Sequence, residues 1–310
     1  MLFLTKPYGI YRMKMNFYFV LFYIVISLLS GCAENTVQWH SLGEQKTLGI
    51  SGIAPIDSEN FLVVHDGKKS EHPRLGVVTW KKDEKPILTE INWCNKATLP
   101  IDLEAIAVIP NRSKEYLLLE SKGKVTRIQL ENNTSCKTTA QFDLPTSTAK
   151  SNMEGLALSC FTQKCVLVWA ERGDDKQAAI LSWSEFDIDR NIVAKSNKTP
   201  YQFTASYPSV NHRSISDISL DNHGGVWVSS ASDPGDNGPF ESALYKLGTF
   251  KETNAEIEWL PLSDNISPFI KYQNENIKIE GISFFAQDRL IMGTDDENMG
   301  GKIATLNTAN

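Results

Sequence analysis

Three glutamates stand in closely similar surroundings along the sequence. Glu104, Glu154 and Glu280 are each followed by a small residue and then by an apolar one. Carboxylates that a fold brings together repel one another, and either raised pKa values or a bound hard cation relieves that repulsion. The pattern therefore predicts an acidic cluster, and Ca²⁺ is the cofactor that such oxygen ligands favour.

An alternative leaves these glutamates without a metal. In that case their side chains accept hydrogen bonds from backbone N–H groups, a structural role repeated along the chain. Two histidines, His65 and His212, lie at the ends of predicted strands. Because imidazole titrates near neutral pH, we treat them as candidate catalytic acids or bases. Arg74, Arg172 and Arg213 lie in loops from which a guanidinium group could bind phosphate.

The glutamates belong to a sequence repeat. Five segments share a small or acidic residue, apolar-biased positions, a turn and a β-rich run: 49–54, 102–107, 152–157, 214–219 and 278–283. Counted between positions 52, 105, 155, 217 and 281, the steps are 53, 50, 62 and 64 residues. Repeats of this length are typical of four-stranded units that stack their hydrophobic faces against one another.

Continuous apolar runs follow the repeats, among them 61–64 and 116–119. They show no helical period, which indicates strands buried on both faces. The sequence therefore predicts an all-β fold, a β-propeller of five blades, with residues 37–310 as a single domain. Six blades are an alternative if 188–213 or 250–277 contains a degenerate blade. We expect 37–40 to add the outer strand of the last blade, which removes free sheet edges.

A propeller would place many acidic side chains on one face. The start of each inner strand and the loop after each second strand open on the same side of such a ring. Five acidic loop residues would join the glutamates there: Asp66, Glu120, Glu171, Asp233 and Asp295. We predict that Glu104, Glu154, Glu280 and Asp217 contact a ligand at the mouth of the channel. The three glutamates together with Asp295 form the predicted metal site.

Three of the repeats resemble a known signature. The segments 102–107, 153–157 and 279–283 are similar to the D-[LF]-E-G-[IL]-[AS] pattern of two related propeller families. One is the SdiA-regulated family, and the other is named for the esterase-like activity of phytase. The resemblance implies a propeller fold over most of the chain. It does not imply one specific reaction.

The sequence also departs from that signature. Ala105 replaces the usual glycine, and Ser51 and Ser216 stand where the other repeats have glutamate. Calcium-using lactonase-type propellers, which are similar, place a Glu-Gly pair at the start of an inner strand, where the glutamate binds metal. This resemblance implies Ca²⁺ at Glu104, Glu154 and Glu280 but at neither serine.

The N-terminal segment has the features of a secretory signal. Positive charges precede an apolar stretch, 17–29, which is too short to cross a bilayer core of about 30 Å as a helix. It ends in Leu29-Ser30-Gly31-Cys32, which resembles the bacterial lipobox. That resemblance implies a lipoprotein signal peptide over 1–31, lipidation of Cys32, and an anchor with a short linker over 32–36. A plain signal peptide with a chance cysteine is the alternative.

Lipidation predicts a membrane partner and a place in the cell envelope. Ala33, not aspartate, follows the cysteine, which by the Gram-negative sorting rule favours the outer membrane. Cleavage would remove Lys6, Arg12 and Lys14 and no acidic residue, so the formal charge of −6 becomes −9. An acidic domain of this kind is a poor match for nucleic acid, and we expect no such partner.

Four further cysteines predict two disulfides in an oxidising compartment. Cys160 and Cys165 flank a loop short enough for a hairpin, so their sulfur atoms would face each other across two strands. By elimination, Cys94 would pair with Cys136. A zinc site is the weaker alternative because no CxxC or HxxxH cluster accompanies them.

These observations favour a ligand-binding or interaction module on the envelope, with an unknown small molecule or protein as ligand. The alternative is a metal-assisted hydrolase of a phosphoester, an ester or a lactone, in which Ca²⁺ polarises the substrate. The sequence contains no GxSxG elbow, no HExxH motif and no P-loop, so no familiar catalytic motif decides between the two.

Overall fold

The computed structural model of the protein describes residues 1, 37–81, 83–94, 98–195, 198–254, 256–263 and 265–309. Cys32 and the anchor segment 32–36 lie outside the described residues, as does nearly all of the signal segment 1–31, so these calls stay predictions. No helix in the described part is long and apolar enough to cross a membrane. The strands all belong to one compact unit, Gln38–Asn310.

The described residues form 22 strands and two short 3-10 helices. In chain order the strands are β1 (His40–Gly43), β2 (Gly52–Pro55), β3 (Asn60–Val64), β4 (Leu75–Thr79), β5 (Ile87–Ile91), β6 (Leu103–Val108), β7 (Glu115–Glu120), β8 (Lys124–Asn132), β9 (Ser135–Asp143), β10 (Met153–Cys160), β11 (Cys165–Glu171), β12 (Ala179–Asp187), β13 (Ile192–Val193), β14 (Tyr201–Phe203), β15 (His212–Leu220), β16 (Gly225–Ser232), β17 (Ser242–Thr253), β18 (Glu256–Pro261), β19 (Ile270–Tyr272), β20 (Ile279–Ala286), β21 (Arg289–Thr294) and β22 (Gly301–Asn307). The helices are Lys46–Leu48 and Glu297–Met299.

These strands form five antiparallel sheets, which are the blades of a propeller. Blade 1 is β2-β3-β4-β5 and blade 2 is β6-β7-β8-β9. Blade 3 runs from β10 to β14, blade 4 from β15 to β19, and blade 5 contains β20, β21, β22 and β1. The innermost strands β2, β6, β10, β15 and β20 contact one another in that order, and β20 contacts β2. The fold is therefore the predicted five-bladed β-propeller.

In the described residues of the two long gaps, 188–213 and 250–277, there is no sixth blade. In the first, β13 and β14 both pair with β12, so they extend the outer edge of blade 3. In the second, β18 and β19 both pair with β17 at the outer edge of blade 4. The unusual lengths of these repeats come from additional outer strands.

The ring is closed by the N-terminal strand. β1 pairs antiparallel with β22, with His40 opposite Ile303 and Ser41 opposite Lys302. The predicted closing strand, 37–40, is therefore placed a few residues too early, but its role and its blade are confirmed. Pairing of the two chain ends covers an edge that would otherwise expose unpaired backbone groups.

The hydrophobic core lies between blades. Leu62 and Val64 of blade 1 pack in one cluster with Ile106 and Leu118 of blade 2, and all four are nearly inaccessible to solvent. Similar clusters fill the interfaces between blades 2 and 3, blades 3 and 4, and blades 5 and 1. Since burial of one such side chain is worth about 1.5–3 kcal/mol, stacked blades hold the inner strands firmly in place.

Both predicted disulfides are present. Cys160 and Cys165 are directly paired across β10 and β11 and are bonded to each other. Cys94, just after the outer strand of blade 1, is bonded to Cys136 in the outer strand of blade 2. The first bond staples a hairpin, and the second ties two neighbouring blades together at their outer edges.

Candidate functional site

The three repeated glutamates owe their position to β-bulges. In blade 2, Leu103 and Ala105 both have cross-strand partners in β7, whereas the register shifts between them, so Glu104 is the unpaired extra residue. The same shift occurs around Glu154 in β10 and around Glu280 in β20. A bulge changes the direction of a side chain, so that it no longer follows the alternation between the two faces of the sheet. Here it turns each carboxylate away from the blade stack towards the channel.

The small residue after each glutamate has a packing role. A Cβ atom added to Gly155 would lie 2.5 Å from Cγ1 of Ile218 in the next blade. A Cβ on Gly52 would lie 3.0 Å from the Cα of Ala105, and one on Gly281 would lie 3.1 Å from the Cα of Gly52. Neighbouring inner strands thus approach backbone to backbone, and this close approach brings the bulged residues together around the channel.

The other two blades place serines at the bulged position. Ser51 precedes Gly52, and its N–H donates to Val64 O, the residue that also pairs with Gly52. Ser216 precedes Asp217, within the irregular part of the β15–β16 register. Both serines are buried, and their hydroxyl groups have no hydrogen-bond partner among the described residues. We call the five equivalent residues the channel ring: Ser51, Glu104, Glu154, Ser216 and Glu280.

Glu280 is neutralised by two cations. Its Oε1 lies 2.6 Å from Nη1 of Arg213 and 3.2 Å from Nζ of Lys278. The Lys278 side chain is only 1% exposed and also contacts Glu297 at 2.6 Å. Although burial alone would lower the pKa of Lys278, Glu280 and the other nearby carboxylates raise it above its usual value. Lys278 therefore stays charged beside Glu280.

Glu154 and Glu104 are less well compensated. Glu154 lies 3.4 Å from Nη1 of Arg172 and accepts a 3.3 Å hydrogen bond from Nδ2 of Asn152. Burial raises the pKa of Glu154 to about 7. Glu104 is half-buried, and no hydrogen bond or ion pair reaches its carboxylate from any described residue. Burial, followed by the charge of Glu154, raises the pKa of Glu104 well above its ordinary value.

The two predicted aspartates have backbone partners. Asp217 accepts one hydrogen bond from its neighbour Ile218 N and another from Ile282 N, both at 2.8 Å. It therefore joins blades 4 and 5, which is the structural role considered above for the glutamates. Asp295 is buried beside Glu280 and accepts a 3.1 Å hydrogen bond from Glu297 N. Burial and the charge of Glu280 raise the pKa of Asp295 well above its ordinary value.

The two candidate histidines are placed differently from one another. His65 is buried inside blade 1, where Nδ1 lies 2.6 Å from Gly49 O and Nε2 faces the backbone of Gly76. Burial lowers the pKa of His65 to about 4, so the ring is neutral at neutral pH. His212 lies at the start of β15, with Nδ1 2.8 Å from Oδ1 of Asp175. Both ring nitrogens of His212 are buried as well, so neither histidine exposes a nitrogen atom to solvent.

The three candidate arginines also lie in different surroundings. Arg74 is buried, and its guanidinium donates to the carbonyl groups of Pro100, His72 and Lys69 at 2.7, 2.8 and 3.0 Å. It therefore holds the loops of blade 1 in place, and few of its N–H groups are left to bind a phosphate. Arg172 and Arg213 do lie beside the ring, and Arg213 also pairs with Asp233.

The remaining loop acids are spread around the mouth. Asp66 is exposed after β3, and Oε2 of Glu120 accepts a 3.0 Å hydrogen bond from Ile101 N. Glu171 lies at the end of β11, opposite Met153. These acids surround the ring, but none of them makes a hydrogen bond or ion pair with a ring carboxylate.

The residues present do not fit a calcium ion. Ca²⁺ takes six to eight oxygen ligands. Glu280 is already occupied by Arg213 and Lys278, and Glu154 faces Arg172. No group of three or more histidine, cysteine, aspartate or glutamate side chains in the described part is arranged to hold a metal.

Lys278 is the residue that sequence reasoning missed. It stands two positions before Glu280 in the last repeat, at the edge of the motif itself. A lysine next to an apolar strand is usually predicted to be exposed to solvent, whereas this one is buried. Lys46 was missed as well, and it contacts Glu297 at 2.9 Å, which places a second lysine at the mouth.

Three cavities lie away from the ring. One of about 630 Å³ is lined by Arg112, Phe161 and Asp189, at the hairpin end of β10 and so opposite to Glu154. Another of about 680 Å³ lies beside Trp183 and Trp259 at the outer edge, and a third of about 520 Å³ lies near Tyr201. The ring itself is formed by charged and hydroxyl side chains, including Glu280 with its two cations and the unpaired hydroxyl of Ser51.

Solved structures share the fold. PQQ-bound aldose sugar dehydrogenase from Streptomyces coelicolor is 14% identical, with a TM-score of 0.49, over 88% of this chain and 98% of that one. A thermostable family-43 glycoside hydrolase is 11% identical, with a TM-score of 0.48, over 87% and 90%. GH43B of the Bacteroides ovatus xyloglucan PUL is 9% identical, with a TM-score of 0.50, over 87% of this chain but 54% of that one. At such identities the likeness concerns the propeller fold alone.

No family model matches the chain. No curated protein matches it either. The two propeller families named above are therefore not established for this protein, whereas the propeller itself is.

Proposed function

We propose that this protein is a lipid-anchored envelope module that binds a small polar ligand at its channel ring. The observation that carries the proposal is Glu104, a half-buried carboxylate that no described residue pairs with. Buried polar groups normally find partners, and an unmatched carboxyl group at a repeated, channel-facing position suits an external partner. Ser51 and Ser216 supply two further polar groups with unsatisfied hydroxyls.

The envelope location is part of the same proposal. It depends on lipidation at Cys32 and, through Ala33, favours the outer membrane. The two disulfides are in keeping with it, because such bonds persist in oxidising compartments and are rare in reducing ones. Membership of the SdiA-regulated or esterase-like phytase group also belongs here, since the motif around each ring glutamate supports it.

Metal-assisted hydrolysis of a phosphoester, ester or lactone is the rival, and the ring supports it less well. A catalytic cation would need the ring carboxylates as ligands, yet Arg213 and Lys278 already bind Glu280. Of the two candidate histidines, His65 is buried, and the ring nitrogens of His212, beside Asp175, are inaccessible to solvent. Ligand binding requires none of these rearrangements, so we prefer it.

A thermal-shift experiment tests the proposal. The full-length chain in detergent is heated with a panel of small polar compounds: amines, polyols, sugars, carboxylates and Ca²⁺. We expect at least one class to raise the melting temperature of the wild type, and the shift to be largely lost in Glu104→Gln. Glu131→Gln, an exposed glutamate of the same blade, is the matched control and should keep the full shift. Equal shifts in both variants would contradict binding at the ring.

A further inference from the structure

The channel ring consists of two unlike parts. In blade 5, Glu280 is bound by the guanidinium of Arg213 and the ammonium of Lys278. In blade 2, by contrast, no lysine or arginine among the described residues contacts Glu104. Lys278 thus shows that this ring accommodates an ammonium group beside a bulged glutamate. In the part formed by blades 1 to 3, Arg172 lies 3.4 Å from Glu154 and Lys68 pairs with Asp102 at 2.9 Å, but no cation of the described residues forms an ion pair with Glu104.

Three acceptors lie next to one another in that part. Gly52 follows Ser51, and a Cβ on it would lie 3.0 Å from the Cα of Ala105, which follows Glu104. Glu154 belongs to β10, which contacts β6 on its other side, and its charge has the largest effect of any charged group on Glu104. The Ser51 hydroxyl, in a residue only 2% exposed, has no hydrogen-bond partner in the described part of the chain. Because buried hydroxyl groups are nearly always paired, this is a separate sign of a polar partner.

We propose that the primary ammonium group of a small-molecule ligand occupies this part of the ring and donates to Ser51, Glu104 and Glu154. An ammonium carries three N–H donors and no acceptor, which matches three neighbouring acceptors. Its positive charge would stabilise the ionised form of Glu104, the ring glutamate for which the described residues provide no ion pair.

Glu154 has acceptor capacity to spare for such a ligand. Its contacts with Asn152 and Arg172, at 3.3 and 3.4 Å, are longer than charge-assisted hydrogen bonds of about 2.7–2.9 Å. The inference rests on the proposed function and names the ligand class for that same site. It differs from the calcium prediction, because one ammonium needs three acceptors where Ca²⁺ needs at least six.

The test uses methylammonium as the probe and tetramethylammonium as its matched control, since the latter carries the same charge without an N–H donor. The full-length chain in detergent is labelled with ¹³C at the glutamate carboxyl groups, and Glu104→Gln assigns the Glu104 signal. We expect methylammonium to move that signal and tetramethylammonium to leave it in place. Loss of one charged hydrogen bond predicts at least a tenfold weaker apparent affinity in Glu104→Gln, and roughly threefold to tenfold in Ser51→Ala. Glu131→Gln should match the wild type.

Each other outcome counts against the inference. Equal responses to the two ions would mean unspecific charge attraction and would overturn it. A Glu104 signal that moves with Ca²⁺ or a neutral polyol, but not with methylammonium, would overturn the ammonium assignment and leave ligand binding at the ring intact. A Glu104 signal that responds to no compound in the panel would contradict both proposals together.

Discussion

Replacement of Glu154 by glutamine should remove a large part of the pH dependence of stability. The pKa of this carboxyl is 4.5 in the unfolded chain and is raised by burial to about 7 in the folded protein. Between these values the folded state holds a proton that the unfolded state has released. Stability contributed by that proton is complete below pH 4.5 and is lost as the pH rises through 7.

The size of the effect follows from the shift. A difference of about 2.5 pKa units corresponds to about 3 kcal/mol of unfolding free energy. The wild type should therefore lose about 3 kcal/mol between pH 4.5 and pH 8 through this group alone. Glu154→Gln, which cannot ionise, should lack that contribution and be more stable than the wild type at pH 8, but not at pH 4.5.

Urea denaturation at a series of pH values measures this difference directly. The two unfolding free energies are subtracted at each pH, so that titrating groups that do not interact with Glu154 contribute equally and cancel. Glu131→Gln, far from the ring, should follow the wild type throughout. If the difference between wild type and Glu154→Gln is constant with pH, burial does not raise the pKa of Glu154 and the description of the ring is wrong.

Three further changes test other parts of the structure. Lys278→Met removes one of the two cations at Glu280, which keeps Arg213, and should cost about 1–3 kcal/mol in urea denaturation, whereas Lys278→Met with Glu280→Gln should recover part of the loss; a single-variant cost below about 1 kcal/mol would show that the pair is not buried. Gly155→Ala places a Cβ 2.5 Å from Ile218 and should lower stability by about 1–3 kcal/mol, so an unchanged melting temperature would contradict the close strand approach. Radiolabelled palmitate should enter the wild type and not Cys32→Ser, and equal labelling would exclude this anchor.

The architecture was predictable because it depends on local and repeated signals. Apolar runs without helical period mark buried strands, and five motifs at steps of 50 to 64 residues mark five blades. Closure by an N-terminal strand follows from the cost of a free sheet edge. Its bounds, 40–43 instead of 37–40, were missed because long-range pairing with β22 sets them, and local alternation of apolar and polar residues does not reveal that pairing.

The candidate site was only partly predictable. That the ring glutamates approach one another follows from the repeat, but their partners do not. Lys278 and Arg213 bind Glu280 because bulged strands bring side chains from blades 4 and 5 to one point. Likewise, the sequence places Asp217 in the same motif as the glutamates, yet a one-residue difference within it directs this carboxylate to backbone N–H groups of the next blade. Such contacts depend on how neighbouring blades approach one another in three dimensions. The spacing of residues along the sequence does not reveal them.

The cross-link between the outer strands of blades 1 and 2 has a thermodynamic consequence. Cys94 and Cys136 are 42 residues apart, and a closed loop of that length restricts the unfolded chain by about 4 kcal/mol at 25 °C. The 5-residue separation of Cys160 and Cys165 adds only about 2 kcal/mol. Domains are typically stable by about 5–15 kcal/mol, so chemical reduction would remove a large share of the whole margin. The stability of the folded propeller therefore depends on the redox potential of its surroundings, as much as on temperature or pH.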